Sequence, residues 1–251
     1  VSIGSCSDDG VPDLEWLKNQ IQTNTKIKAV TVTNPGNPTG VALKKDVLQE
    51  IVRLCQHHNK WLILDSTYEH FVHDTTTGTA SPSSFDCFQE DHVIHIFSFS
   101  KGYALAGFRC GYVVIHENHD DSVLAQMKKV QDTIPICPPR ISQFAALGAL
   151  RAGRDWVNQR VATLDEGRSA ILNALSPLKQ VMGGTGAMYV MGKLPDCVPD
   201  DQEVARQLVE DYGVAVIPGS FCGFPGWIRV CYSNLPPDKC QQAAVRLQQG
   251  L

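Results

Sequence analysis

The chain has no apolar run approaching the length of a membrane span, so nothing within its 251 residues reads as a helical membrane anchor. It also lacks a basic field. A net charge of -4, with Lys and Arg scattered singly or in pairs, gives neither nucleic acid nor an anionic lipid surface anything to grip. No C-x-x-C pair occurs among the nine cysteines, which lie far apart between Cys6 and Cys240 and are odd in number. Reduced thiols in a cytoplasmic compartment fit that pattern better than a disulfide scaffold. No histidine, cysteine and carboxylate cluster has zinc spacing, and no metal is expected. Internal repeats and low-complexity tracts are missing, as is a basic-then-apolar signal in Val1 to Asp9. The chain opens without methionine in the polar loop Ser5 to Gly10, as though cut from something longer.

With 43% hydrophobic and 19% charged residues, the chain can bury a sizeable core. Strand-like and helix-like runs alternate. Lys28 to Thr33 is rich in β-branched residues and stops at Asn34-Pro35-Gly36, so it reads as a buried strand followed by a turn. From Leu43 to Cys55 the apolar residues recur at helical spacing between charges. Trp61 to Asp65, Val93 to Phe97 and Cys110 to Ile115 supply further strands, which suits a mostly parallel α/β sheet. Helical stretches follow, near 120–132 and 142–175, the second broken near Gly153. A smaller α+β lobe then reads as strands at 187–191, 214–217 and 227–230 beside helices at 201–212 and 237–249. The expected division is 1–150 for an incomplete large domain and 151–251 for a small one.

Ligands of open α/β sheets bind at the carboxyl ends of the strands, where this chain places Asn37, Asp65 and Ser98 with Lys101. A lysine on such a loop can lose its proton and attack a carbonyl to form an imine, as an aldehyde cofactor requires. Asp65 ends an apolar run and would need a positive partner, for which a protonated pyridine nitrogen would serve. Tyr68 could set a phenol beside the same ring, and Asn37 could donate to a ring oxygen. Arg109, with the hydroxyls of Ser98 and Ser100, could seat a phosphate. Simpler roles suit several of these residues: Asp65 as a turn or helix cap, Asn34 to Gly40 as a tight loop, and Arg229 as half of a salt bridge. His57 and His58 suit the end of a helix, His95 a structural strand position, and Met127, Met188 and Met191 the core.

Asn34-Pro35-Gly36-Asn37-Pro38-Thr39-Gly40, Asp65-Ser66-Thr67-Tyr68, Ser98-Phe99-Ser100-Lys101 and Gly107-Phe108-Arg109 together resemble the class I/II aminotransferases of pyridoxal-phosphate fold type I. The resemblance extends over nearly the whole chain. It implies that Lys101 forms the internal aldimine with pyridoxal 5'-phosphate and shuttles the Cα proton. It also implies that Asp65 pairs with the pyridine nitrogen, that Tyr68 and Asn37 contact the ring hydroxyl, and that Ser98, Ser100 or Arg109 hold the phosphate. Gly213 to Gly219 followed by Trp227-Ile228-Arg229-Val230 is similar to the family's small-domain signature, which makes Arg229 the clamp on the substrate α-carboxylate.

Lys129 to Cys137 with Ile141-Ser142-Gln143 resembles plant-type aromatic aminotransferases, implying methionine or aromatic amino acids and 2-oxo acids as substrates. Family members carry a substantial segment ahead of the strand at Lys28. That segment supplies the aromatic residue stacked on the pyridine, a phosphate loop, strands of the large sheet and much of a homodimer contact. Two alternatives therefore stand beside transamination. One is a truncated, non-catalytic fragment; the other is a different fold type I activity, such as a C–S lyase or a cyclopropane-forming synthase.

Overall fold

The computed structural model describes residues 1–73, 87–116, 121–198 and 200–251. A first helix, α1 (Leu14–Thr23), is capped by Asp13, whose carboxylate accepts the backbone N–H of Trp16 at 2.9 Å. It was not anticipated from the sequence. Strand β1 (Ala29–Thr33) leads through a loop to α2 (Lys45–His57), followed by β2 (Trp61–Asp65), β3 (Val93–Ser98) and β4 (Gly111–Ile115). The sheet runs in the order β1-β2-β3-β4. Its first three strands are parallel, and β4 is antiparallel to β3.

One face of this sheet is closed by α2. Its buried residues Leu48, Ile51, Val52 and Cys55 recur at the spacing that places them on one stripe, against Leu62, Leu64 and Val93. Each such aliphatic side chain contributes roughly 1.5–3 kcal/mol of burial. The strand expected to be buried, at 28–33, is instead the edge: Ala29 and Thr31 are exposed and the other three residues half-buried. Among the described residues only β2 pairs with it, so β-branched composition reported a strand but not two covered faces. His95 is structural, as its place in the alternation suggested. Its Nε2 accepts the Phe88 N–H at 3.0 Å and its ring stacks between Phe88 and Phe97.

After α3 (Asp121–Thr133), α4 (Arg140–Ala162) kinks at Gly153, where φ is 81°, and α5 (Asp165–Leu175) follows. The anticipated break is present, and a second interruption separates α4 from α5. The expected domain division at 150/151 falls inside α4, just before this kink. Then come β5 (Gln180–Gly183), β6 (Tyr189–Lys193), α6 (Asp201–Tyr212), β7 (Ile217–Pro218), β8 (Trp227–Cys231) and α7 (Pro237–Gly250). Their antiparallel sheet has the order β5-β6-β8-β7.

The run 214–217 was expected as a full strand, yet only Ile217 and Pro218 pair. Val214 donates its N–H to Leu208 and closes α6 beyond the left-handed Gly213, so that part of the segment ends a helix. Val214 and Val216 are nevertheless buried, which accounts for the alternating pattern.

The two sheets meet where the loop after β1 docks on the turn before β6. Gly40 accepts hydrogen bonds from Thr185 and Gly186 at 3.2 and 2.9 Å, and Thr185 Oγ1 accepts the Ala42 N–H at 3.0 Å. Gly40 has φ 69°, and a Cβ there would lie 1.9 Å from the Tyr189 carbonyl oxygen. Only glycine permits this approach. No disulfide joins any of the nine cysteines among the described residues.

Candidate functional site

Lys101 sits just beyond the carboxyl end of β3, on a loop tied down by its own backbone. Ser98 Oγ accepts the Ser100 N–H at 3.1 Å, and Ala104 and Leu105 donate to Lys101 and Phe99 at 3.0 and 3.1 Å. Gly102 packs so closely on His70 that a Cβ would lie 2.5 Å from the imidazole Cδ2. Lys101 is half-buried, with Nζ 5.8 Å from the centre of the Tyr68 ring. Burial, and then the Arg154 charge, push the His70 imidazole down to about 4, so it is neutral at physiological pH.

Asp65 ends β2 and does form a turn: Oδ1 accepts the Thr67 N–H at 3.1 Å and the Thr67 hydroxyl at 2.6 Å. Its Oδ2 has no hydrogen-bond partner among the described residues. Tyr68, 5% exposed, shares a 2.9 Å hydrogen bond with the hydroxyl of Tyr189. Burial and then that bond hold the Tyr68 phenol above its ordinary range, with Arg229 lowering it and Asp65 raising it by smaller amounts. Tyr68 is therefore a neutral phenol lying within the fields of both charged residues.

Arg229 projects from β8, in register with Met191 on one side and Ile217 on the other. Its guanidinium lies 4.6 Å from the centre of the Tyr189 ring, and its Nη1 donates to Asn37 Oδ1 at 2.8 Å. Its Nε is buried without a hydrogen-bond partner, and no carboxylate pairs with it among the described residues. The simpler role, a salt bridge to a neighbouring carboxylate, is therefore not what it does here. With its amide oxygen taken by Arg229, Asn37 keeps Nδ2 as a donor on the exposed side.

Five side chains thus form one connected line: Lys101, Tyr68, Tyr189, Arg229 and Asn37. Tyr189 was missed as a site residue because its run, 187–191, reads as a strand with Met188 and Met191 in the core. The available signal was a phenol on a buried strand, since such a hydroxyl needs a partner. Arg109 is exposed and left-handed at φ 51°, and its Nη1 donates to Ala106 O at 2.9 Å. No hydrogen bond joins it to Ser98 or Ser100 among the described residues, although Phe99 bonds the neighbouring Cys110 carbonyl at 3.2 Å.

A lysine beyond a parallel strand, a carboxylate at the end of the neighbouring one, and an arginine from a second sheet with no counter-anion among the described residues define a recognisable class. The chain belongs to the class I and II aminotransferase family, whose model matches residues 5–247. Its α/β fold is that of fold type I. Aromatic aminotransferase ISS1 of Arabidopsis thaliana is 39% identical over 98% of this chain and 61% of its own length. The aspartate/prephenate aminotransferase of Thermus thermophilus is 30% identical over 93% of this chain and 59% of its own. Among solved structures, a probable N-succinyldiaminopimelate aminotransferase of Thermus thermophilus superposes with a TM-score of 0.85 at 27% identity, covering 100% of this chain and 65% of that one. The chain therefore spans less than two thirds of the length of these relatives. No helix among the described residues is long and apolar enough to cross a membrane.

Proposed function

We propose that this chain carries the lysine and the carboxylate clamp of an aminotransferase that moves an amino group between an aromatic amino acid or methionine and a 2-oxo acid. The observation that carries the reading is Arg229: a guanidinium with a buried, unbonded Nε and no carboxylate partner, held by Asn37 and Tyr189. Such a group suits a carboxylate arriving from solution.

The family depends on pyridoxal phosphate, and the donor set fits it. Asp65 Oδ2 and Asn37 Nδ2 are left over from internal bonding, one an acceptor for a ring N–H and the other a donor for a ring oxygen. When bound, the cofactor supplies the electron sink that acidifies the substrate Cα–H. Lys101 would hold the cofactor at its aldehyde carbon and, once displaced, accept and return the Cα proton at Nζ. Tyr68, kept a neutral phenol, would orient the ring oxygen. Ser98, Ser100 and Arg109 would seat the phosphate, with Arg109 turning away from Ala106 to do so. The division of labour runs between residues 1–150, which hold the cofactor, and 151–251, which bring Arg229. A homodimer and a cytoplasmic location belong to the same reading.

The aromatic preference is supported by local similarity and by the names of relatives from Arabidopsis thaliana and Thermococcus litoralis. Mixing the chain with pyridoxal phosphate should give a visible absorption band that Lys101→Ala abolishes. Methionine, tryptophan and phenylalanine should then donate amino groups to 2-oxo acids. A preference for aspartate overturns the substrate assignment, and release of ammonia or a cyclopropane product overturns the reaction type.

The Arg109 contact with Ala106 favours a second reading, in which the chain by itself does not hold the cofactor productively. No band in this chain, with a band in one extended at its N-terminus, would select that reading.

A further inference from the structure

Behind the connected line of site residues lies a buried polar network that the reaction does not use. Ala187 sits on the turn just before β6, fully buried and left-handed at φ 52°. A residue with a Cβ stays in that conformation only where its surroundings over-determine it. Here they do. The Ala187 N–H donates to Phe71 O at 2.8 Å, and its carbonyl accepts the Tyr232 hydroxyl at 2.9 Å. His73 Nε2 lies 3.3 Å from the same carbonyl and 3.0 Å from the Tyr232 oxygen. Since the phenol has one proton and gives it to the carbonyl, His73 Nε2 carries a proton and acts as the donor. From the other side Asp165 Oδ1 lies 3.4 Å from His73 Nδ1 and 3.5 Å from Arg168 Nε, while Arg168 Nη1 donates to Gly184 O at 3.0 Å.

What this network immobilises is the start of β6. Tyr232 also donates its backbone N–H to Met188 O at 3.2 Å, and the next residue, Tyr189, is paired with Cys231 across the sheet. Tyr189 is the residue that bonds Tyr68 and lies against Arg229. We propose that Tyr232, with His73, is a positioning residue: by clamping the Ala187 carbonyl it fixes Tyr189, and through Tyr189 the direction in which Arg229 points. The link to a carboxylate clamp rests on the proposed function above; the link to Tyr189 does not.

The test uses Tyr232→Phe, which keeps the ring and removes the hydroxyl, with two readouts in the chain supplied with pyridoxal phosphate. In protein labelled with 3-fluorotyrosine, the Tyr189 resonance is assigned by its loss in Tyr189→Phe. That resonance should shift or broaden in Tyr232→Phe. The affinity for 3-phenylpropionate, an unreactive aryl carboxylate, should weaken by about five- to tenfold, the scale of one lost hydrogen bond. In a Tyr189→Leu background the same change should have no further effect on that affinity.

If Tyr232→Phe does not fold, His73→Leu is measured in its place. His73→Gln, which restores a donor, should recover the wild-type line. A Tyr189 resonance unchanged in the variant overturns the proposal, as does a changed resonance with carboxylate affinity within twofold of wild type. Wild-type protein that binds no 3-phenylpropionate defeats the proposed clamp, and the fluorine resonance then decides the positioning of Tyr189 by itself.

Discussion

Arg229 shows how much a single side chain owes to its neighbours. A guanidinium in the middle of a four-stranded sheet would be costly without compensation, and it is steadied by an aromatic face and one amide oxygen, not by a carboxylate. Replacing it with leucine should raise KM for the amino acid and lower kcat/KM by about 100-fold, on the scale of a truncated buried charge pair. Arg229→Lys should restore only part of that loss, because an ammonium cannot reproduce the fork. Steady-state kinetics with phenylalanine would measure both. His70 carries a separate prediction. Its folded value, about 4, lies below the ordinary 6.5, so the unfolded chain binds the proton first as pH falls. The stability from its neutral burial is present above pH 6.5 and is lost progressively towards pH 4. Urea unfolding at pH 7 and pH 5 should show the decline, and His70→Gln should flatten it.

Loops and turns, more than helices and strands, decide how the pieces meet. Both Gly40 and Gly153 have positive φ, but only Gly40 faces backbone, the Tyr189 carbonyl; a Cβ on Gly153 meets open space. Gly153→Ala should therefore cost about 1 kcal/mol of strain and leave the site intact. Gly40→Ala should cost considerably more, about 3 kcal/mol or above, and displace Tyr189. Chemical denaturation would measure both costs. Helix α2 and strands β2 and β3 were legible because a strong period of 3.6 or 2 coincides with real burial. The segment 214–217 alternates just as well, yet mostly does not pair, because alternation reports which face is covered and not which backbone groups are bonded. Helix α1 escaped notice although Leu14, Leu17 and Ile21 recur at helical spacing; only Ile21 is fully buried, and the two leucines pack half-buried on the same core.

The whole molecule leaves a broad apolar surface open. Ile134, Ile141 and Phe144 are 77%, 72% and 60% exposed on and beside α3 and α4, and β1 offers an edge unpaired among the described residues. The chain should therefore self-associate as its concentration rises. Phe144→Glu with Ile141→Glu should shift sedimentation profiles towards the monomer without altering pyridoxal phosphate binding. Much of the candidate site was legible from the sequence, since Asn37, Asp65, Tyr68, Lys101 and Arg229 each stand in a short motif whose residue types suit one chemistry, and the structure brings Lys101, Tyr68, Arg229 and Asn37 into one line. The family and the α/β order of elements follow from the same local patterns, because periodicity and turn residues act over a few positions at a time. Only the tertiary structure decided that β1 is an edge, that Tyr189 joins Tyr68 to Arg229, and that Tyr232 and His73 stand behind them. The contacts of Tyr68 with Tyr189 and of His73 with Tyr232 join residues more than a hundred positions apart and depend on where the second sheet docks, which no local pattern encodes.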